Sequence, residues 1–455
     1  MALTVDLDLI RKYNVPGPRY TSYPTAVQFT DKFTASQIVD DLKATNTVPR
    51  DLSLYFHLPF CETLCWFCGC TTVITKDHTK GGRYIDYLAR EIELTLPLLH
   101  PESQAVQLHF GGGTPNFFHP DQIRRLGEII HKHFRFRPGA EMSVELDPRR
   151  LTREHVQAFR DMGVTRASFG IQDFNPQVQE AVNRIQPKEL SDNAATWIHE
   201  LGFESLNVDL IYGLPHQTPE TFARTIDLAL ELKPDRFAVF NYAHVPWMKP
   251  AQKIVERAVL PTPEVKLEML KLVIETLTAR GFAYIGMDHF ARETDELAVA
   301  QRARTLQRNF QGYSTRAGSD IYGFGMSSIS QTPTHYRQNE KTLEPYYKRL
   351  DAGELPWTRA CFLTPEDMIR REVIMRLMCD LELDFDRMGG ALGIDFRTHF
   401  AKEIAAFAAP AADGLVTLSE RGIVATESGR LLIRNLAMTF DAYVQSSEKR
   451  FSKTI

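Results

Sequence analysis

Between residues 51 and about 330, short apolar runs alternate with longer amphipathic ones, and this alternation narrows the fold more than any other feature. The expected strands are 52–58, 105–110, 141–146, 166–172, 205–212, 236–242 and 283–288. Helical spacing of apolar residues lies between them; in 82–99, Tyr84, Leu88, Ile92 and Leu96 recur on one face. Further helices are expected over 120–134, 152–162, 176–183, 190–201, 219–232 and 263–280. Thr152, Ser191 and Thr218 stand where N-caps belong, and Gly163, Gly202 and Gly281 where C-caps belong. Repeated strand–helix units predict an α/β fold, a parallel sheet with helical crossovers. Six or seven units suffice for a barrel or partial barrel, with an open doubly wound sheet as the alternative. Catalytic groups would then gather at the C-terminal ends of the strands.

The 455 residues divide into an N-terminal extension (1–50), the strand–helix region (51–330) and a mostly helical C-terminal domain (331–455). The last reads as a helix over 364–381, a hairpin over 414–426 and a helix over 429–440. A winged helix would look similar, but without a strong basic excess for duplex binding a cap or lid is the better reading. A net charge of −4 gives no global pull toward nucleic acid or membrane. The apolar stretches are too short to span a bilayer and the N-terminus lacks a secretory pattern, so a cytoplasmic protein is expected.

Four of the six cysteines, Cys61, Cys65, Cys68 and Cys70, lie within ten residues just after the first expected strand. In a large chain without a secretory pattern such clustering reads as metal or redox chemistry, not a disulfide framework. Thiolates spaced Cys-x3-Cys-x2-Cys can bind three irons of a [4Fe-4S] cluster, leaving the fourth iron open to a small molecule. Cys70 is a less natural ligand, because one residue separates it from Cys68. A structural zinc site would need a second, separated Cys/His pair, and Cys361 and Cys379 are not spaced as one. Gly111-Gly-Gly-Thr-Pro115 follows the second strand, where glycines let backbone approach a ligand or simply make a tight turn. Alternation places Glu145 and Asp147 on one face at the end of the third strand.

The triple-cysteine spacing with Phe67 before its last member resembles the signature of radical S-adenosylmethionine (SAM) enzymes. Around it, Pro18-Arg-Tyr-Thr-Ser-Tyr-Pro-Thr25, Tyr55-Phe-His-Leu-Pro-Phe-Cys61, Cys68-Gly-Cys70, Asn207-Val-Asp-Leu-Ile-Tyr-Gly-Leu-Pro215, Phe240-Asn-Tyr-Ala-His244, Gly286-Met-Asp-His-Phe-Ala291 and Gly429-Arg-Leu-Leu-Ile-Arg-Asn435 resemble the oxygen-independent coproporphyrinogen III oxidase family. The similarity runs from near residue 10 to near residue 450.

The resemblance implies a partial (β/α) TIM-like barrel of the radical SAM type. Cys61, Cys65 and Cys68 would hold the [4Fe-4S] cluster, and SAM would chelate its open iron. The implied SAM contacts are Tyr55, Phe67, Gly112, Gly113, Thr114, Glu145, Gln172, Arg184, Asp209, Ala243 and Ile329, with Gln172, Arg184 and Asp209 near a second SAM. The implied reaction is oxidative decarboxylation of two propionates of coproporphyrinogen III to vinyl groups, giving protoporphyrinogen IX with two SAM per turnover. A cytosolic, flavodoxin-like electron donor, a monomeric state and no nucleic-acid or membrane partner are implied too. The alternatives are a haem-binding chaperone of the same superfamily, against which Cys70 and the Arg19–Pro24 segment argue, and a radical SAM enzyme for another substrate. His57, His244 and His289 carry no assigned role. Arg19 is open to two readings, a partner for a substrate carboxylate or a structural arginine.

Overall fold

The structure, a computed structural model, describes residues 7–444 apart from 14 and 257. The outer ends of the two flanking segments, 1–6 and 445–455, lie outside the described residues. Among the described residues no helix is long and apolar enough to cross a membrane.

Six successive strands pair in parallel: β1 (Asp51–Leu58), β2 (Gln104–Gly112), β3 (Phe136–Leu146), β4 (Arg166–Gln172), β5 (Ser205–Tyr212) and β6 (Arg236–Asn241). β7 (Phe282–Gly286) and β8 (His289–Arg292) complete one side. β9 (Asp320–Phe324), which pairs in parallel with β1 and extends the parallel run to seven, β10 (Ile329–Gln331), β11 (His335–Asn339) and β12 (Trp357–Phe362) complete the other. Together they make one twelve-stranded sheet in the order β12-β11-β10-β9-β1-β2-β3-β4-β5-β6-β8-β7. The sheet is mixed, since β8 runs antiparallel to β6 and β7, and β10 to β12 are antiparallel to their neighbours. Its ends do not pair, so the barrel is partial.

β1 is the middle of this arrangement. It pairs in parallel with β2 on one side and β9 on the other, and six of its eight residues are buried. Along β1 the buried Leu52, Leu54, Phe56 and Leu58 alternate with Ser53, Tyr55 and His57, so one face of the strand is apolar and the other carries polar groups. Phe56 is fully buried, its ring stacked 5.0 Å from Phe324 and 5.7 Å from Phe110.

The expected strands are all present, but the seventh is displaced. β7 does not pair with β6, because β8 turns back from it at Met287–Asp288 and inserts between them. Beyond residue 330 the chain completes β10 and contributes two more strands to the same sheet, through Phe362. β9 and β11 are buried at every residue although β11 reads His335-Tyr-Arg-Gln-Asn339. Internal partners make this tolerable: Asn339 donates to Glu91 at 2.6 Å, His335 meets Asp41 at 2.7 Å, and Arg50 pairs with Asp320 at 2.5 Å.

The helix signals hold at Thr152 and Thr218, whose hydroxyls accept from the third helical N–H. Gly163, Gly202 and Gly281 all take the positive φ of a helix stop. Ser191 is not an N-cap. Pro187 starts that helix (Lys188–Glu200) a turn earlier, and the buried Ser191 accepts instead from Gln186 Nε2 at 2.9 Å.

The C-terminal part has its own core around Val373, Leu377, Phe396, Phe400 and Phe440. The expected hairpin is there (Val416–Leu418 and Gly422–Ala425), joined by an unanticipated third strand, Glu382–Asp384. The expected helix over 429–440 breaks at Leu432 into Glu427–Leu431 and Ile433–Met438. The N-terminal loop straps onto this core: Tyr20 and Tyr23 are buried in it, and Arg434 donates to the carbonyls of Gly17 and Pro18.

Phe56→Ala should lower unfolding free energy by about 3–5 kcal/mol in a denaturant titration, because the aromatic stack cannot collapse onto the void.

Candidate active site

The loop after β1 is tied at several points. Phe60–Cys61 pairs in parallel with Val73–Ile74, and Thr75 N–H donates to the Cys61 carbonyl at 2.9 Å. Trp66 N–H reaches the Val182 carbonyl at 3.0 Å, and Asn183 Nδ2 the Leu64 carbonyl at 2.8 Å. Gln252 Nε2 and Lys249 Nζ hold the carbonyls of Phe67 and Cys70, at 3.0 and 2.8 Å. The cysteines therefore sit on a loop fixed from three separate parts of the chain.

The glycine run lies flush against that loop. Gly113 N–H donates to the Leu58 carbonyl at 2.8 Å, and Thr114 N–H to the Phe60 carbonyl at 2.9 Å. A Cβ on Gly113 would stand 2.5 Å from the Pro59 carbonyl, and Gly112, at φ +110°, faces the His57 ring. Only glycine fits either place. Thr114 Oγ1 lies 3.2 Å from Cys61 Sγ.

These elements enclose a cavity of about 180 Å³ at the C-terminal ends of the strands. Cys61, Cys65 and Cys68 line it with Phe67, Gly112, Gly113, Thr114, Glu145, Gln172, Arg184 and Asp209. Eleven of the fourteen residues singled out from sequence thus share one cavity. The other three do not line it. Tyr55 stacks on His109 (5.8 Å, 15°), which in turn meets Glu145 at 3.3 Å. The Ala243 carbonyl accepts from Gln252, the same amide that holds Phe67. Ile329 begins β10, opposite Gln338.

Charge is arranged deliberately around Cys65. Arg149 Nη2 and Arg184 Nη1 stand 3.5 and 3.6 Å from its sulfur. Both guanidiniums pair with Asp147, Arg149 at 2.6 Å and Arg184 at 3.3 Å. Burial alone would raise the Asp147 carboxyl, but Arg184 and then Arg149 outweigh it and hold it well below the usual carboxylate range. Two cations against one carboxylate leave positive charge facing the thiols. Sequence reasoning passed over Arg149; its signal was a basic pair, Arg149-Arg150, directly after a carboxylate at a strand end.

The thiols differ. Burial pushes Cys61 up to about 12. A hydrogen bond from the Cys70 side chain pulls Cys68 down to about 6, against its burial, and the Cys70 N–H adds a contact at 3.4 Å. The same bond raises Cys70, which keeps the proton. Glu145, open to the cavity, lies below its ordinary value despite burial, owing to His109 and the Gly112 N–H at 3.3 Å. Burial and the nearby Glu145 charge raise Asp209 to about 7. One carboxylate is therefore a firm anion and the other half-protonated near neutrality.

Among the described residues no three His, Cys, Asp or Glu side chains close on one point as the shell of a single metal ion would. The three thiols instead ring a cavity, as the corners of a multi-iron cluster require. Gln172, held at φ +68°, has a buried Oε1 without a partner, and so has Arg184 Nε. Such orphans suit a polar ligand with its own donors and acceptors. The residues present therefore fit a cluster and a charged, hydroxyl-bearing ligand beside it. His57 and His244 are committed to Thr71 and Glu256, each at 2.9 Å.

Residues 55–229 match the Radical SAM superfamily, and residues 363–432 match the HemN C-terminal domain. The chain is 46% identical to an oxygen-independent coproporphyrinogen III oxidase of Salmonella typhimurium, over 99% of this chain and 98% of that protein. It is 43% identical to one of Helicobacter pylori, over 99% and 100%. The solved structure of the Escherichia coli coproporphyrinogen III oxidase, described as a radical SAM enzyme, superposes with a TM-score of 0.92 at 44% identity, covering 98% of this chain and all of that one. Over its whole length, then, this chain belongs to the oxygen-independent coproporphyrinogen III oxidase family of the radical SAM superfamily.

Proposed function

We propose that this enzyme converts two propionates of coproporphyrinogen III to vinyl groups without oxygen, releasing carbon dioxide and giving protoporphyrinogen IX. The observation that carries this reading is the single cavity ringed by Cys61, Cys65 and Cys68, in a chain matched end to end by oxidases of that name. When bound, the [4Fe-4S] cluster and SAM supply a reducing electron and a carbon radical able to take hydrogen from a propionate.

The chain supplies the rest. Cys61, Cys65 and Cys68 bind iron, and iron coordination overrides the high pKa of buried Cys61. Arg149 and Arg184 balance the thiolate charge. Gly112 and Gly113 bring backbone to SAM, Thr114 braces Cys61, and Phe67 walls the open iron. Glu145 takes the ammonium or ribose hydroxyls, with Tyr55 steadying it through His109. Gln172, Arg184 and Asp209 serve a second SAM, so that two are used per turnover, with Ala243 and Ile329 lining its approach. Segment 1–50 and the part after 330 cover the mouth of the 51–330 barrel and keep water from the radical. A flavodoxin-like protein delivers the electron to a cytoplasmic monomer that has no nucleic-acid or membrane partner.

Anaerobic reconstitution with iron and sulfide, followed by SAM, a strong reductant and coproporphyrinogen III, should release carbon dioxide and form protoporphyrinogen. SAM cleavage without decarboxylation would sink the substrate assignment, and haem binding without turnover would point to a chaperone. Cys68→Ser should lose the cluster's visible absorbance and iron content, whereas Cys70→Ser should keep its iron. Asp147→Ala strands two part-buried guanidiniums and should destabilise the iron-free protein by about 3–5 kcal/mol in urea.

A further inference from the structure

A file of rings links Arg19 of the strap to Arg308: Arg19 lies over Phe240, Phe240 meets His289 edge to face at 6.0 Å, His289 meets Tyr313, and Arg308 lies over Tyr313, while Arg434 holds the strap next to Arg19. Phe240, under Arg19 at 5.7 Å, is on β6 and pairs with Ile211, two residues along β5 from Asp209.

Asp288 is the carboxylate that meets this group, and it is held by Arg19. Arg19 is paired with Asp288, and Arg434 is spent on the carbonyls of Gly17 and Pro18. Arg308 is 3% exposed and lies over the Tyr313 ring at 4.7 Å, yet its Nε and Nη1 are buried without any partner. The Tyr313 hydroxyl and His289 Nδ1 are equally without partners, and the two rings meet edge to face at 5.4 Å. The nearby Arg236 offers no missing anion, for it is committed to Asp295 and Glu296 at 2.8 and 3.0 Å. Arg19 keeps 35% of its side-chain surface accessible, so the group is open on the strap side.

A buried guanidinium with no counter-charge is unfavourable unless an anion arrives to meet it. Burial, and then the charges of Arg308 and Arg19, hold His289 down at about 3, so the imidazole stays neutral and adds no charge of its own. We propose that Arg308, with Arg19 and the Tyr313 hydroxyl, forms the subsite that grips a propionate carboxylate of the substrate. Guanidinium and carboxylate match as planar, two-point partners, and a phenol completes the oxygen's hydrogen bonding. A propionate held there fixes the macrocycle so that a different propionate faces the cofactor cavity. The inference rests on the substrate reading above, a tetrapyrrole bearing four propionates.

The test uses the reconstituted holoenzyme with coproporphyrin III, an unreactive tetracarboxylate, and its tetramethyl ester. The wild type should bind the acid at least about tenfold more tightly than the ester. Arg308→Gln should lose about tenfold in affinity for the acid, bind the ester unchanged, and show a raised KM for coproporphyrinogen III. Its substrate-free cleavage of SAM should equal the wild type's, and Arg308→Lys should restore part of the loss. Without ligand, Arg308→Gln should unfold at the same or a higher temperature, since it removes an unmatched buried charge. Added coproporphyrin III at one concentration should raise the melting temperature of the wild type more than that of Arg308→Gln. Unchanged acid affinity and KM in Arg308→Gln would overturn the subsite, as would a lower melting temperature without ligand, which marks a structural arginine. If the wild type binds the acid through Arg308 but never decarboxylates coproporphyrinogen III, the substrate reading falls and the carboxylate site stands.

Discussion

The parallel pairing of β1 with both β2 and β9 is the constraint on which the remaining structure depends. β9 comes some 260 residues after β1 in the chain, so this pairing brings the far end of the barrel region back to its first strand. It also buries Phe56 between Phe110 and Phe324 and leaves the loop after Leu58 at a defined height. The cysteine loop springs from that point, and Gly113 and Thr114, at the end of the neighbouring strand, clamp it by backbone hydrogen bonds. A shift of one residue in this register would turn Tyr55 away from His109 and carry the thiols off the cavity.

Around the loop, electrostatics takes over from packing. Asp147 is short of neutralising Arg149 and Arg184, and the remainder of their charge points at Cys65. Elsewhere, Arg19 has Asp288, whereas the buried Arg308 has no partner at Nε or Nη1. Both imbalances would be faults in a protein whose interior only had to be stable. An enzyme for a polyanionic substrate and a thiolate-bound cluster has a use for both.

Much of this was legible before any coordinates. The strands β1 to β6 announce themselves because apolar residues recur at every second position, as in Leu52, Leu54, Phe56 and Leu58 of β1 and Leu206, Val208, Leu210 and Tyr212 of β5. The thiol spacing and the glycine run are local, and local spacing survives in a sequence. The strands β9 and β11 were not legible, because Asp320, His335, Arg337 and Asn339 are polar and become buried only beside partners that are distant in the chain. Ser191 misled for a similar reason: its hydroxyl serves Gln186, not a helix end. Arg149 and Arg308 were invisible as individuals among the 53 lysines and arginines.

The sequence by itself determined the class of fold, the three thiols and the family, since periodicity, ligand spacing and short motifs are properties of neighbours along the chain. The tertiary structure alone decided that the last strands join the first, that Cys65 lies between two arginines, that Gln172 and Arg184 keep buried polar atoms without hydrogen-bond partners, and that Arg308 does so beside Tyr313. Those facts depend on burial and on charges brought together from opposite ends of the chain, and neither exists until the chain has folded.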